Sequence, residues 1–289
     1  MTDQTTVFTY NRPLLFSIAY EILGSASDAD DVLSESYLRW RKVDPATVDN
    51  PRAYLAQIVT RQALTLLRSP ARRREDYVGP WLPEPLATAP DAADHVLTGE
   101  AVTTAMLLVL ETLTPIQRAV FVLREVFAFD YPEIATAVDK SEQAVRQINH
   151  RARVRVHASR PKTVVSPAEA APIVERFALA AATGDVSALM DLLAPGVVFI
   201  GDGGGVVNAV RRPVFGPDKV ARLMIGLLRK GGTMGEMGMS FGIYNGMPAV
   251  TATINGTLDQ VTAIEVTDDK ITAFYCVRNP EKLTHIVGG

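Results

Sequence analysis

One cysteine, Cys276, stands in a chain of 289 residues, so neither an internal disulfide nor a zinc site of several cysteines can be built from it. Its plainest reading is a small apolar residue buried in a strand. Long hydrophobic runs are missing as well: no stretch reaches the ~18 consecutive apolar residues of a membrane span. The opening MTDQTTVFTYNRP lacks a basic start followed by an apolar run. No targeting segment and no membrane partner are therefore expected, and the reducing cytoplasm is the expected compartment. Tryptophans number only 2, and one of them lies in the proline-rich stretch GPWLPEPL at 79–86. A glycine run, DGGG at 202–205, lacks the Lys-Ser/Thr of a phosphate loop and opens no helix, which favours a turn or a close backbone approach. No catalytic residues, cofactor or metal are expected.

What the chain does have is length and sorted charge. At ~100–200 residues per domain its length predicts two or three domains. The net charge is −3, yet the charges are segregated. Lys140, Arg146, Arg151, Arg153, Arg155, Arg160 and Lys162 stand against one acid, Glu142, and Arg68, Arg72, Arg73 and Arg74 against none. Acids crowd Asp28 to Glu35. Such sorting predicts one surface for phosphates and another for a basic protein.

Apolar spacing predicts helices through residues 8–74, in LLFSIAYEIL, DVLSESYLRW and PRAYLAQIVTRQALTLLR, broken at Gly24-Ser25 and at VDPATVDNP. The stretch LPEPLATAPDAADHV predicts an extended surface path. Helices resume from Gly99 to about His157, with breaks at Thr114-Pro115, FDYPE and VDKSE. After SRPKTVVSP the pattern changes to a helix from Ala168 to Thr183, the strand-like GVVFIGDGGG, a helix around PDKVARLMIGLLRK, and two hairpins turned at Asn245-Gly246 and Asp268-Asp269. Helices followed by a strand meander predict a separate α+β domain.

The strongest chemical signal is DYPEIATAVDKSEQAVRQINHRARVRV. A helix from Tyr131 to Val138, a tight turn and the N-cap Ser141 predict a helix-turn-helix. On its second helix Ala144, Ile148, Ala152 and Val156 form an inner stripe beside Val145, while Arg146, His150 and Arg153 share the opposite face with Gln143 and Gln147 nearby. An apolar stripe docks such a helix on its scaffold and leaves donors to reach base edges. Arg151 and Arg155 lie where phosphates would run.

The segment LTPIQRAVFVLREVFAFDYPEIATAVDKSEQAVRQINHRAR resembles the fourth conserved region of bacterial sigma factors, which reads the −35 promoter element. LLFSIAYEILGSASDADDVLSESYLRWR with NPRAYLAQIVTRQALTLLRSPARRRE resembles the second region, which binds the polymerase clamp and melts the −10 element. Having only these two regions, the chain resembles the extracytoplasmic-function (ECF) group. Its carboxyl part resembles SnoaL within the nuclear-transport-factor-2-like fold. The order of parts, with WLPEP, DGGG and the NPEKL of Asn279 to Leu283, resembles the ECF subgroup that carries a fused SnoaL-like extension. Where relatives often have lysine after the glycines, this chain has Val206.

The resemblance implies a multidomain fold: two all-α helical domains followed by an α+β SnoaL-like, cone-shaped domain. Sigma region 2 would span 1–76, a Pro-rich linker 77–98, sigma region 4 with its helix-turn-helix 99–162, and the SnoaL-like regulatory domain 163–289. The implied function is promoter-specific transcription initiation, regulated in cis by the carboxyl domain. The implied partners are core RNA polymerase, through its β′ clamp and β flap, and promoter DNA at the −35 and −10 elements, with no dedicated anti-sigma factor.

Residue by residue, the resemblance implies −35 reading by Gln143, Arg146, Gln147, His150, Arg151 and Arg153. Asn50, Arg52, Tyr54, Gln57, Arg61 and Arg68 would meet the −10 single strand, where bases stack on rings and phosphates follow cations. Asp28, Asp31 and Glu35 recur on one helix face and would register docking on the clamp. Trp81 and Leu82 are poor surface residues, so an interdomain contact with Asp202, Gly203, Asn279, Lys282 and Leu283 is expected. Two other readings stay open: a helix-turn-helix regulator whose SnoaL-like domain is a sensor or an isomerase-like or cyclase-like enzyme using Asp202, Tyr244, Asp259 or Tyr275, and a plain helix-turn-helix repressor.

Overall fold

The computed structural model describes residues 3–69, 77–88, 103–159 and 165–286, which fall into two compact units. One holds 3–69 and 106–159; the other holds 77–88, 103–105 and 165–286. The arginines at 72–74, and residues 89–98 of the Pro-rich segment, lie outside the described residues. Packing thus divides the chain differently from composition: both helical modules share one unit, and 77–88 goes with the carboxyl part.

The first unit begins with α1 (Gln4–Leu23), which stops at Gly24 in the left-handed conformation, φ 68°. Ser25 then caps α2 (Ala26–Trp40) by accepting from the Asp28 N–H at 3.2 Å. Asn50 caps α3 (Pro51–Arg68), with Pro51 at its first position. Leu15, Ile18, Ile22, Leu55, Val59 and Trp40 are fully buried between these helices. Each such side chain stabilises the fold by ~1.5–3 kcal/mol. The Trp40 indole N–H donates to the Gln4 carbonyl at 2.8 Å, so the ring is buried without an orphaned donor.

The same unit continues with α4 (Thr104–Glu111), from residue 106 onward, and α5 (Pro115–Phe121), which opens on a Thr114–Gln117 capping box. A π-helical turn, Val122–Val126, follows directly. Then come α6 (Tyr131–Val138) and α7 (Glu142–Ser159), with Ser141 Oγ accepting from the Ala144 N–H at 3.2 Å. The helix-turn-helix has the expected bounds, but the inner stripe of α7 is centred about one residue later than its apolar spacing suggested. Val145, Asn149, Ala152 and Val156 are buried, while Ala144 and Ile148 are half-buried. The reason is Asn149, whose amide donates to Glu125 Oε1 at 2.7 Å and is thereby accommodated in the core.

In the second unit, α8 (Pro167–Thr183), capped by Ser166, and α9 (Val186–Leu192) precede β1 (Leu193–Asp202), the short β2 (Val214–Phe215) and α10 (Pro217–Met234). Four strands follow: β3 (Met237–Tyr244), β4 (Met247–Ile254), β5 (Thr257–Thr267) and β6 (Lys270–Val277). The sheet order is β2-β1-β6-β5-β4-β3, with β1 parallel to β6 and every other pair antiparallel. The hairpin turns sit at Asn245-Gly246, Asn255-Gly256 and Asp268-Asp269, and both residues of each have positive φ. Phe177, Phe199 and Phe274 form the aromatic centre between the helices and one sheet face. This is the α+β cone that the resemblance implies.

Candidate functional site

On α7, Gln143, Arg146, Gln147, His150, Arg151 and Arg153 are all exposed. Arg146 donates to Glu142 one turn earlier and its guanidinium lies 4.2 Å from the centre of the Tyr131 ring. Arg153 Nε stands 3.7 Å from Glu125 Oε2. Exposed pairs of this kind are worth ~0–1 kcal/mol, so a base edge or a phosphate can replace either carboxylate at small cost.

The cations of α3 are differently placed. Asn50 Nδ2 donates to Glu133 Oε1 at 3.1 Å, and Arg52 reaches the Phe127 carbonyl at 3.4 Å while lying 4.5 Å over the Phe129 ring. Arg61 donates to the Thr136 carbonyl at 2.6 Å and to the Ala137 carbonyl at 3.2 Å. Gln57, with its amide in the favourable orientation, accepts from Arg61 at 2.9 Å. Apart from Gln57, on α3 itself, these acceptors belong to the loop before α6 and to α6. Tyr54 is half-buried against Trp40, ring centres 6.0 Å apart, and Arg68 is exposed in the last turn. A further anchor, which sequence reasoning missed, is Arg118: it pairs with Glu111 at 2.6 and 3.0 Å and donates to the Ile22 carbonyl at 3.0 Å. On α2, Asp31 and Glu35 are exposed, Glu35 pairing with Arg39 at 3.2 Å, and Asp28 is half-buried in the capped first turn.

In the carboxyl unit the Pro-rich segment 77–88 is a strap bound along its length. Asp202, fully buried at the end of β1, accepts on Oδ1 from the Tyr77 hydroxyl at 2.5 Å and from the Gly204 N–H at 3.0 Å. Its Oδ2 accepts from the Leu82 N–H at 2.8 Å and from Lys282 Nζ at 2.7 Å. Lys282 also donates to the Leu82 carbonyl at 2.6 Å and lies 4.2 Å from the centre of the Trp81 ring. Asn279 donates to the Tyr77 oxygen at 3.1 Å, and Leu283 is buried nearby in sequence. Burial first, and the Asp202 hydrogen bond second, push the Tyr77 phenol above its usual pKa.

The glycines of DGGG serve this arrangement. A Cβ on Gly203 would stand 2.6 Å from the Val207 carbonyl oxygen, and one on Gly204, where φ is 62°, would overlap the Asn279 amide. At its far end the strap joins the edge strand: the Asn245 N–H donates to the Leu86 carbonyl at 2.8 Å and the Thr88 N–H to the Ile243 carbonyl at 2.8 Å. Tyr77 and Asn245 were not foreseen as contacts. One precedes the quoted motif, and the other read only as a turn residue.

Four acid–base candidates of the carboxyl domain do not converge. Asp202 is saturated by the strap, Tyr275 donates to Glu265 at 2.7 Å, Asp259 is held by Arg278, and Tyr244 sits at the strap end of β3. Burial pushes the Cys276 thiol up to about 11, as suits an inert core residue.

Residues 7–74 match the model of Sigma-70 region 2, and residues 103–156 that of Sigma-70, region 4. The chain is 38% identical over 294 residues to the ECF RNA polymerase sigma factor SigJ of Mycobacterium tuberculosis, covering 97% of this chain and 93% of that protein. It is 30% identical over 277 residues to the probable ECF RNA polymerase sigma factor SigI of the same organism, covering 94% and 92%. Its structure matches the crystal structure of M. tuberculosis SigJ with a TM-score of 0.77 at 34% identity, covering 96% of this chain and 97% of that one. With both sigma regions in place and the likeness running through the carboxyl domain, the chain belongs to the extracytoplasmic-function family of RNA polymerase sigma factors.

Proposed function

We propose that the chain directs core polymerase to promoters whose −35 element is read by α7 and whose −10 strand is held by α3, and that it is restrained by contacts within itself. Gln143, Arg146, Gln147, His150 and Arg153 face the −35 base edges, with Arg151 and Arg155 on phosphates. Asp28, Asp31 and Glu35 register α2 on the β′ clamp. Restraint then rests on the chain itself instead of a dedicated anti-sigma partner, and the carboxyl domain performs no catalysis, its candidate carboxylates Asp202 and Asp259 being committed to structural partners.

The observation that carries the reading is the engagement of Asn50, Arg52 and Arg61 with the segment from Phe127 to Ala137. A single strand lying along α3 needs those same donors, so the two helical modules must part before promoter opening. Core polymerase, by binding the parted form, shifts the population toward it. The test is transcription from a cognate promoter with core enzyme and either the unaltered chain or Arg146→Ala. The substitution should cost ~1–3 kcal/mol of discrimination at the −35 element if the guanidinium reads a base through two hydrogen bonds. Undiminished preference for the matched element would remove α7 from its reading role.

A further inference from the structure

Inside the carboxyl unit, the concave sheet face and helices α8 and α10 enclose a cavity of about 300 Å³. That is the lower end of the range that holds small organic ligands. Most of its wall is apolar and polarizable: Phe199 and Phe274 from β1 and β6, Met224 and Met234 from α10, Met237 and Met239 from β3. Thioethers adapt their shape and make favourable contacts with aromatic edges, so this wall suits flat, unsaturated molecules.

One end of the cavity is polar, and its polarity is built by an irregularity in the sheet. Ala252 pairs with Gln260 and Thr253 with Leu258, so Asp259 is the extra residue of a bulge in β5. A bulge re-aims a side chain. Consecutive residues Asp259 and Gln260 consequently both line the cavity, where a regular strand would send them to opposite faces. Asp259 meets Arg278, also on the wall, through two hydrogen bonds: Nε to Oδ2 at 3.0 Å and an Nη to Oδ1 at 2.6 Å. The other Nη of Arg278 donates to the Asn208 carbonyl at 2.6 Å. The guanidinium charge is thus met by a carboxylate, so this pair offers fixed dipoles with no net charge, while the third charged residue of the wall, Lys230 in the last turns of α10, is exposed.

We propose that this cavity is a binding site for a neutral, largely apolar aromatic molecule whose single polar group meets the Asp259–Arg278 pair. Net neutrality of this pair favours an uncharged head there over a carboxylate or phosphate, since an anion would have to compete with Asp259 for the same guanidinium. Turnover is not part of the proposal: both Asp259 oxygens are engaged by Arg278, and the buried Cys276 thiol is not a nucleophile. Binding here does not require the strap to have any regulatory role.

The test titrates the full chain with N-phenyl-1-naphthylamine, a neutral fluorescent probe with one N–H donor, and with its anionic counterpart 8-anilinonaphthalene-1-sulfonate. The neutral probe should saturate at one molecule per chain and bind better than the anion. Ala178→Trp, which projects an indole from α8 into the cavity, should weaken the neutral probe about tenfold or more, about 1.4 kcal/mol. Asp259→Asn keeps the side-chain size but leaves the Arg278 charge unopposed, so it should reverse the preference toward the anion. Non-saturating binding of the neutral probe would overturn the proposal, as would equal binding in a folded Ala178→Trp chain. If Ala178→Trp does not fold, Asp259→Asn decides, and an unchanged preference there overturns it.

Discussion

Asp202 and Glu21 are two carboxylates with opposite surroundings. Asp202 is buried yet receives the Tyr77, Gly204, Leu82 and Lys282 donors, so its charge is matched on every side. Glu21, in the last turns of α1, has an Oε2 shut away from solvent with no hydrogen-bond partner, and burial pushes its pKa up to about 8. The folded state therefore favours the protonated acid, whereas the unfolded chain ionises near ~4.3. Stability from this group is fully present below the unfolded value and is lost as pH rises toward 8. Glu21→Gln should accordingly raise the melting temperature at pH 8 and change it little at pH 4. Thermal melts of both chains across that range check the sign, and a shift independent of pH would show that Glu21 is solvated.

At the scale of elements, the strap is the segment whose character changed most between sequence and structure. Its prolines read as an extended surface path, and Trp81 and Leu82 as residues in need of cover. The structure buries Leu82 completely and places Trp81 on the Lys282 ammonium. Trp81→Ala removes a cation–π contact worth ~0.5–2 kcal/mol and should speed amide hydrogen exchange in residues 82–88 by roughly 2–30-fold. Helix content should stay the same. Under the proposed cis restraint, transcription by the variant should also rise. Unchanged exchange would leave the tryptophan without a part in holding the strap.

The comparison of sequence with structure turns on distance along the chain. The bounds of α6, the Ser141 cap and the Asn245-Gly246 and Asp268-Asp269 turns were legible because each depends on residues within four positions of one another, while the Asn255-Gly256 turn was missed. The π-helical turn at Val122–Val126 was not, since VLREV fits a regular helix equally well. Neither was the buried Asn149, whose partner Glu125 is 24 residues away, nor the bulge at Asp259, which exists only in the register between β4 and β5. The Asp202 cluster was legible in part: its motif residues were named, but Tyr77, 125 residues from Asp202, carried no signal of its own.

For the whole molecule, the decisive feature is the closure of the helical unit on α3, the helix proposed to hold the −10 strand. Arg52 and Arg61 are exposed and the Arg52 bond is 3.4 Å long, so solvent screening reduces their joint hold on the closed form to ~1–3 kcal/mol. Core polymerase must bind the open form more tightly by at least that margin to populate it.

Parting of the helical modules is read by resonance energy transfer between dyes placed in α1 and α7, at Tyr10→Cys and His157→Cys. Both positions are exposed and neither belongs to a proposed binding face, while the native Cys276 is buried and should escape labelling. The free chain should give one high-efficiency population, and saturating core polymerase should convert it to one of lower efficiency as the modules part. An efficiency unchanged by core polymerase, in a complex that still initiates at its promoter, would show that the modules do not part.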